Sequence, residues 1–167
     1  MSQYLKTAGF LFLLLPLSVA AQLQKYSFEQ LEDLQNTEKR DIVVFIHTDW
    51  CRYCQLMKNT TFKSENVMDL LNDNFWFVDL NAEEKRTIRF NNQIFRFKPS
   101  GLNTGVNELA EQLATIDGKA AYPTICILNP NNEIVFQYNE YINSDDLMQL
   151  LNEVLIQRNL PASKLAD

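Results

Sequence analysis

The stretch "DIVVFIHTDWCRYCQLM", residues 41–57, restricts this chain more than any other. Ile42 to Ile46 are apolar and largely β-branched, with no polar interruption. A strand with one wet face alternates apolar and polar residues, whereas an unbroken short run marks a strand covered on both faces. Such a strand needs a layer above it and another below. Cys51 follows shortly after the run, and Cys54 comes three residues later. The segment from Cys51 reads as a helix through Leu56, Met57 and Lys58. The cysteine pair therefore stands where a buried strand passes into a helix.

The rest of the pattern supplies the layers. Residues 26–40 read as a helix, with Ser27 and Gln30 matching a capping box and Phe28, Leu31 and Leu34 at helical spacing. Residues 64–74 read as a helix capped by Ser64. "FWFVDLN", residues 75–81, reads as a second buried strand, with Trp76 and Phe77 in the core. Two aromatic-rich runs flank Asn91-Asn92 and read as a hairpin, in which Phe90, Phe95 and Phe97 are buried or mark a docking patch. Residues 98–105 read as a loop, and residues 106–115 as a helix with Val106, Leu109, Ala110 and Leu113 on one side. Residues 122–130 and 133–138 read as strands joined by the turn "NPNN". A last helix, residues 144–157, turns Leu147, Leu150, Leu151 and Val154 inward. The order predicts an α/β fold: a mixed central sheet with helices on both faces, and a hairpin and loop inserted at about residues 87–105.

The chain ends carry other signals. Residues 1–21 combine Lys6, an apolar run from Ala8 to Leu17, and the small residues Val19 and Ala21. This is the pattern of a signal peptide cut after Ala21, and the run is too short for a comfortable membrane span. The expectation is a secreted or periplasmic protein without stable membrane insertion after cleavage. One domain over residues 22–160 and a flexible tail, 161–167, follow. The formal charge of −6, with no basic cluster, argues against a nucleic-acid partner.

Three cysteines, Cys51, Cys54 and Cys126, are too few for a disulfide scaffold. The spacing of the first two lets their sulfurs close a disulfide. A redox reading makes Cys51, at the helix N-terminus, the exposed attacking thiolate and Cys54 the sheltered resolving thiol. Arg52, and more weakly Lys58, would favour the thiolate. Two other readings stay open. A zinc site wants four ligands, and the chain offers this pair, His47 and the distant Cys126. A static staple is also possible, although so small a loop gains little from closure. His47 could tune the pair or simply pack. Trp50 would form contact surface beside the cysteines, and Cys126, inside "TICIL", reads as a small core residue.

With "DIVVFIHTDWC", a CxxC at a helix start and "YPT" before a late strand, the chain resembles the thioredoxin-like superfamily over about residues 28–157. The resemblance implies a cis-proline at Pro123 facing the pair, and a substrate-holding backbone at Tyr122. Met57, Thr61 and Phe62 resemble secreted bacterial members, which include the soluble reductase domains of periplasmic electron-relay proteins. The implied activity is thiol–disulfide exchange on protein thiols and disulfides. The reducing direction is favoured, with electrons from a membrane electron-relay reductase. No metal and no cofactor beyond the Cys51–Cys54 disulfide is implied. Oxidase or isomerase chemistry, and a binding module with a static disulfide, are the alternatives. The chain departs from the family pattern in three places. Arg52-Tyr53 replaces the familiar Gly-Pro between the cysteines. Phe45 stands where thioredoxins keep a buried aspartate, so Asp49 or a water would have to substitute. The insertion at 87–105 would lie near one end of the sheet and shape partner choice.

Overall fold

The computed structural model describes residues 22–159. The expected leader and the tail at 161–167 lie outside them. Helix α1 (Phe28–Thr37) leads into strand β1 (Asp41–His47), which passes to α2 (Arg52–Asn59) and a single 3-10 turn (Thr61–Lys63). Next come α3 (Glu65–Asn74) and β2 (Phe75–Asn81). Four short strands follow: β3 (Ile88–Phe90), β4 (Gln93–Phe95), β5 (Phe97–Pro99) and β6 (Gly105–Asn107). After these come α4 (Glu108–Ala114), β7 (Thr115–Ile116), β8 (Lys119–Ala120), β9 (Thr124–Leu128), β10 (Ile134–Tyr138) and α5 (Ser144–Asn159).

The central sheet runs β10-β9-β1-β2. β1 pairs parallel with β2 and antiparallel with β9, so the sheet is mixed. All seven residues of β1 are buried, as the unbroken apolar run requires. Its side chains divide by alternation. Val43 and Phe45 pack with Met57, Val67, Leu71, Leu147 and Leu151, on the side of α2, α3 and α5. Ile42, Val44 and Ile46 pack with Phe28, Leu31, Leu109 and Leu113, on the side of α1 and α4. Burying each such side chain contributes about 1.5–3 kcal/mol, which is why a strand of this composition takes the middle of the sheet. Trp76 and Phe77 alternate onto the two clusters in the same way.

The local signals act as their chemistry predicts. The backbone N–H of Ser27 donates to Gln30 Oε1 at 2.8 Å, the reciprocal bond of a capping box. Ser64 holds the N-cap of α3, but its hydroxyl makes no capping bond; its carbonyl accepts from the Met68 N–H instead. Asn91 and Asn92 have φ of 50° and 60°, the left-handed pair that a two-residue hairpin turn demands.

The expected loop at 98–105 is in part a second hairpin, because β5 and β6 pair antiparallel. Gly105 permits this: a Cβ there would sit 2.4 Å from both the Lys98 carbonyl and the Phe97 ring. Val106 consequently lies in β6, and α4 begins only at Glu108, capped by Asn107 Oδ1 accepting from the Leu109 N–H. A further small hairpin, β7–β8, turns through Asp117 and Gly118, both at positive φ. The inserted strands lie against the α1 side of the sheet, where Phe90 meets Phe28 with ring centroids 4.8 Å apart. Phe95 is buried there and Phe97 half-buried. Asn107 ties the insertion down. Its N–H donates to the Ala82 carbonyl at 2.8 Å, and its Nδ2 donates to the carbonyls of Glu84 and Arg86.

Candidate functional site

The end of β1 and the start of α2 build the site. Cys51 is the N-cap of α2, and Cys54 sits in the first turn, so their Cα atoms are 5.2 Å apart and a disulfide joins them. The Cys51 sulfur accepts from the Cys54 N–H at 3.1 Å. That N–H is one of the free donors at a helix start, and it faces the position where negative charge would develop on a reduced Cys51.

Cys51 is 6% exposed and Cys54 fully buried. The expected order of exposure holds, but the expected openness of Cys51 does not, because both sulfurs pack into the cluster that contains Phe45, Met57 and Phe62. Aromatic groups surround the pair instead. Trp50 is 71% and Tyr53 61% exposed. Trp50 meets Tyr122 edge to face at 6.5 Å, and Tyr53 lies 6.2 Å from Tyr141. Trp50 also donates from Nε1 to Glu83 at 3.3 Å. The Tyr122–Pro123 peptide bond is cis and leads directly into β9. Burial, followed by the Glu111 and Glu83 carboxylates, pushes the Tyr122 phenol above its ordinary pKa. Arg52 is exposed on the first turn of α2.

The polar residues on the α2 side are arranged differently from expectation. Asp49 is exposed in the turn before Cys51, where its carbonyl accepts from Gln55, so it supplies no buried carboxylate. Asp79 on β2, half-buried and the register partner of Phe45, places a carboxylate on this side instead. His47 Nε2 lies 2.9 Å from Asp79 Oδ1 and 2.9 Å from Lys58 Nζ, and Lys58 Nζ lies 3.5 Å from the same carboxylate oxygen. Lys25 pairs with Asp79 Oδ2. The His47–Asp79 contact is close but not aligned as a hydrogen bond, whereas the Lys58–His47 contact is. Burial alone would raise the Asp79 carboxyl, but contact with His47 and Lys25 and the charge of Lys58 outweigh it and hold the carboxyl well below the usual carboxylate range. The sequence carried one signal for this residue: Asp79 is the only charged side chain in "FWFVDLN".

His47 is thus turned to Asp79 and Lys58, with its ring stacked on Phe45 at 5.5 Å. Among the described residues, no three His, Cys, Asp or Glu side chains are grouped so as to hold a metal ion. Cys126 is a free buried thiol on the α1 side of the sheet, across it from the pair, and burial pushes its pKa up to about 12.

The sequence matches the thioredoxin-like domain over residues 27–155. The chain belongs to the thioredoxin-like family. Solved structures with this fold include a DsbH oxidoreductase at 13% identity, covering 89% of this chain and 95% of that one with a TM-score of 0.59. A thioredoxin from Thermus thermophilus is 19% identical, covers 83% of this chain and 91% of its own, and also has a TM-score of 0.59. A thioredoxin-fold protein from Helicobacter pylori is 14% identical over 75% and 76% of the two chains, with a TM-score of 0.54. At these identities the likeness is one of fold. A search of curated proteins found no match.

Proposed function

We propose that this thioredoxin-like protein is a thiol–disulfide oxidoreductase that reduces protein disulfides through Cys51 and Cys54. The observation that carries the reading is the Cys51–Cys54 disulfide at the N-terminus of α2, with Cys51 as the cap and Cys54 enclosed beneath it. In the reduced protein, the Cys51 thiolate attacks one sulfur of a substrate disulfide. A Cys51 mixed disulfide forms and the other substrate sulfur leaves as a thiolate, which takes a proton. The Cys54 thiolate then attacks the Cys51 sulfur. The pair closes, the second substrate sulfur leaves, and two electrons have passed to the substrate. A thiol-bearing partner must return those electrons, and a membrane electron-relay reductase suits an exported protein. Export itself rests on residues 1–21. Trp50, Tyr53, Tyr122 and Pro123 supply the contact surface, and Arg52 adds positive charge beside Cys51.

The near-complete cover over Cys51 favours one second reading, a binding module whose disulfide stays closed. A single experiment separates the two. Cys54→Ser is expressed in the source cell and its adducts are trapped by acid quenching. Exchange predicts mixed disulfides that disappear in the Cys51→Ser, Cys54→Ser double variant. A pair that resists dithiothreitol, and a variant that collects no Cys51-dependent adduct, would overturn the oxidoreductase reading in favour of the module.

A further inference from the structure

We infer that the groove between α1 and the inserted β3–β4 hairpin binds a neutral oligosaccharide. This goes beyond the exchange reaction proposed above and does not depend on it. The groove is a cavity of about 560 Å³, inside the range of roughly 300–1,000 Å³ that small-molecule sites occupy. Helix α1 forms one wall, the hairpin tip at residues 89–94 forms the other, and the β9–β10 turn also lines it. Its floor is apolar. Phe28 and Leu31 are buried there and Phe90 is half-buried, with the Phe28 and Phe90 rings 4.8 Å apart. These residues pack on the α1 side of the sheet, whereas both cysteines pack on the other. A ligand in the groove therefore leaves the exchange site free.

The chemistry of the lining selects the ligand. Five of its side-chain amides, those of Asn36, Asn91, Asn92, Gln93 and Asn132, are exposed or half-buried. A sixth, Gln35, is held by the Arg40 backbone. Left-handed backbone accounts for asparagine at 91, 92 and 132, where φ is 50°, 60° and 64°. It accounts for neither Asn36 in α1 nor Gln93 in β4, because helix and strand make no such demand. The turn amides are also loosely engaged, since Asn132 Nδ2 meets Asn91 Oδ1 only at 3.4 Å. Each amide offers a donor and an acceptor in one plane, which matches two neighbouring hydroxyls of a sugar. Charge in the lining is balanced, with Glu29 and Glu32 against Lys39 and Arg89, so no net field draws an ion in. A neutral molecule with many hydroxyls and an apolar C–H face to lay on Phe90 meets all of these conditions.

An extended peptide asks for something else. It binds by adding a strand to a sheet edge and by seating alternate side chains in pockets. Strands β3 and β4 are three residues long, and the rim of the groove is amide rather than apolar. The lining residues on α1 run from Phe28 past Asn36, about 12 Å at 1.5 Å per residue, which is room for more than one sugar ring. Amides of both walls then bond hydroxyls from two sides, and the Glu29 and Glu32 carboxylates accept further hydroxyl bonds. Glu29 Oε1 also accepts from the Arg89 N–H at 3.4 Å, which ties the hairpin to the helix. The insertion thus gains a role: it supplies the second wall of the site.

The test titrates the protein, disulfide closed, with chitotriose, cellotriose and maltotriose by isothermal titration calorimetry. At least one is expected to bind with a Kd below about 1 mM. A tenfold rise in salt should leave that Kd within about twofold, because screening acts on charges and the ligand has none. Asn36→Ala combined with Gln93→Ala should weaken binding by roughly tenfold, the loss of two neutral hydrogen bonds. Both positions are exposed, so the double variant keeps its fold, which circular dichroism checks. No binding by any of the three sugars, an unchanged Kd in the double variant, or a Kd that climbs steeply with salt would each overturn the assignment. Tighter binding by an end-blocked tetra-alanine peptide, run alongside, would overturn it in favour of a peptide site. None of these outcomes touches the exchange reaction, which stands or falls on the Cys51 adducts.

Discussion

Phe45 and Asp79 are register partners across the parallel β1–β2 pair, and both side chains face α2. The carboxylate on this side of the sheet is therefore set one strand aside from the strand that carries the cysteine pair. An aromatic ring, packed against Phe62 and His47, occupies the facing position on that strand, six residues before Cys51. The arrangement separates an apolar bed for the disulfide from a charged cluster beside it.

Asp79 links stability to pH. Its folded carboxyl is held below its unfolded value, so its contribution is complete above the unfolded pKa of about 3.9 and is lost as pH falls towards the folded value. Asp79→Asn should cost about 2 kcal/mol at pH 7, the scale of a hydrogen bond to a charged group. The deficit should shrink as pH falls below about 4, because the unfolded chain takes up a proton there that the folded wild-type carboxylate still refuses. Urea denaturation of both proteins at pH 7 and pH 3 measures it. A deficit that is the same at both pH values would show that the charge is not what stabilises.

Reduction of the disulfide should leave the fold intact. The loop it closes spans a sequence separation of three, for which chain-entropy arguments give about 2 kcal/mol. The sheet and both apolar clusters do not depend on it. Denaturation with and without dithiothreitol should show a modest fall in midpoint and one cooperative transition in each case.

Trp50 and Tyr53 are large, exposed and beside the pair. Alanine at both should raise KM for a protein disulfide by roughly tenfold, equivalent to about 1.4 kcal/mol of lost contact. Turnover of a small aromatic disulfide should change little, and stability should stay within about 0.5 kcal/mol of wild type. Parallel kinetics on the two substrates give the comparison, and equal losses on both would deny these rings a role in holding protein chains.

Asn107 is fully buried and its side chain bonds the Glu84 and Arg86 carbonyls and the Leu109 N–H. Asn107→Ala should cost about 2–4 kcal/mol, from buried carbonyls left unpaired and a lost helix cap. Hydrogen exchange should report the loosening at residues 82–109 first, with the central sheet still protected.

Some of this protein was legible from the chain alone. The apolar run at Ile42–Ile46 predicted a strand buried on both faces, and β1 is one. Asn91-Asn92 predicted a tight hairpin because both residues tolerate positive φ. Strands β7 and β8 are signalled in the same way, by the Asp117-Gly118 dipeptide between them. Pairing of β5 with β6 was not readable, because residues 98–105 lack any alternating pattern and the pairing depends on the space beside Gly105.

The chain by itself determined the sheet's central strand, the helix that starts at Cys51 and the closeness of the two cysteines. Each follows from spacing within a few residues, and such spacing is fixed by the 2.0 and 3.6 periods of strand and helix. Only the tertiary structure decided the rest. It placed Cys51 under cover, set Cys126 on the other side of the sheet, and brought His47, Lys58 and Asp79 together. Those outcomes depend on strand register and on which helix lies over which face. Register joins residues far apart in the chain, so no local pattern contains it.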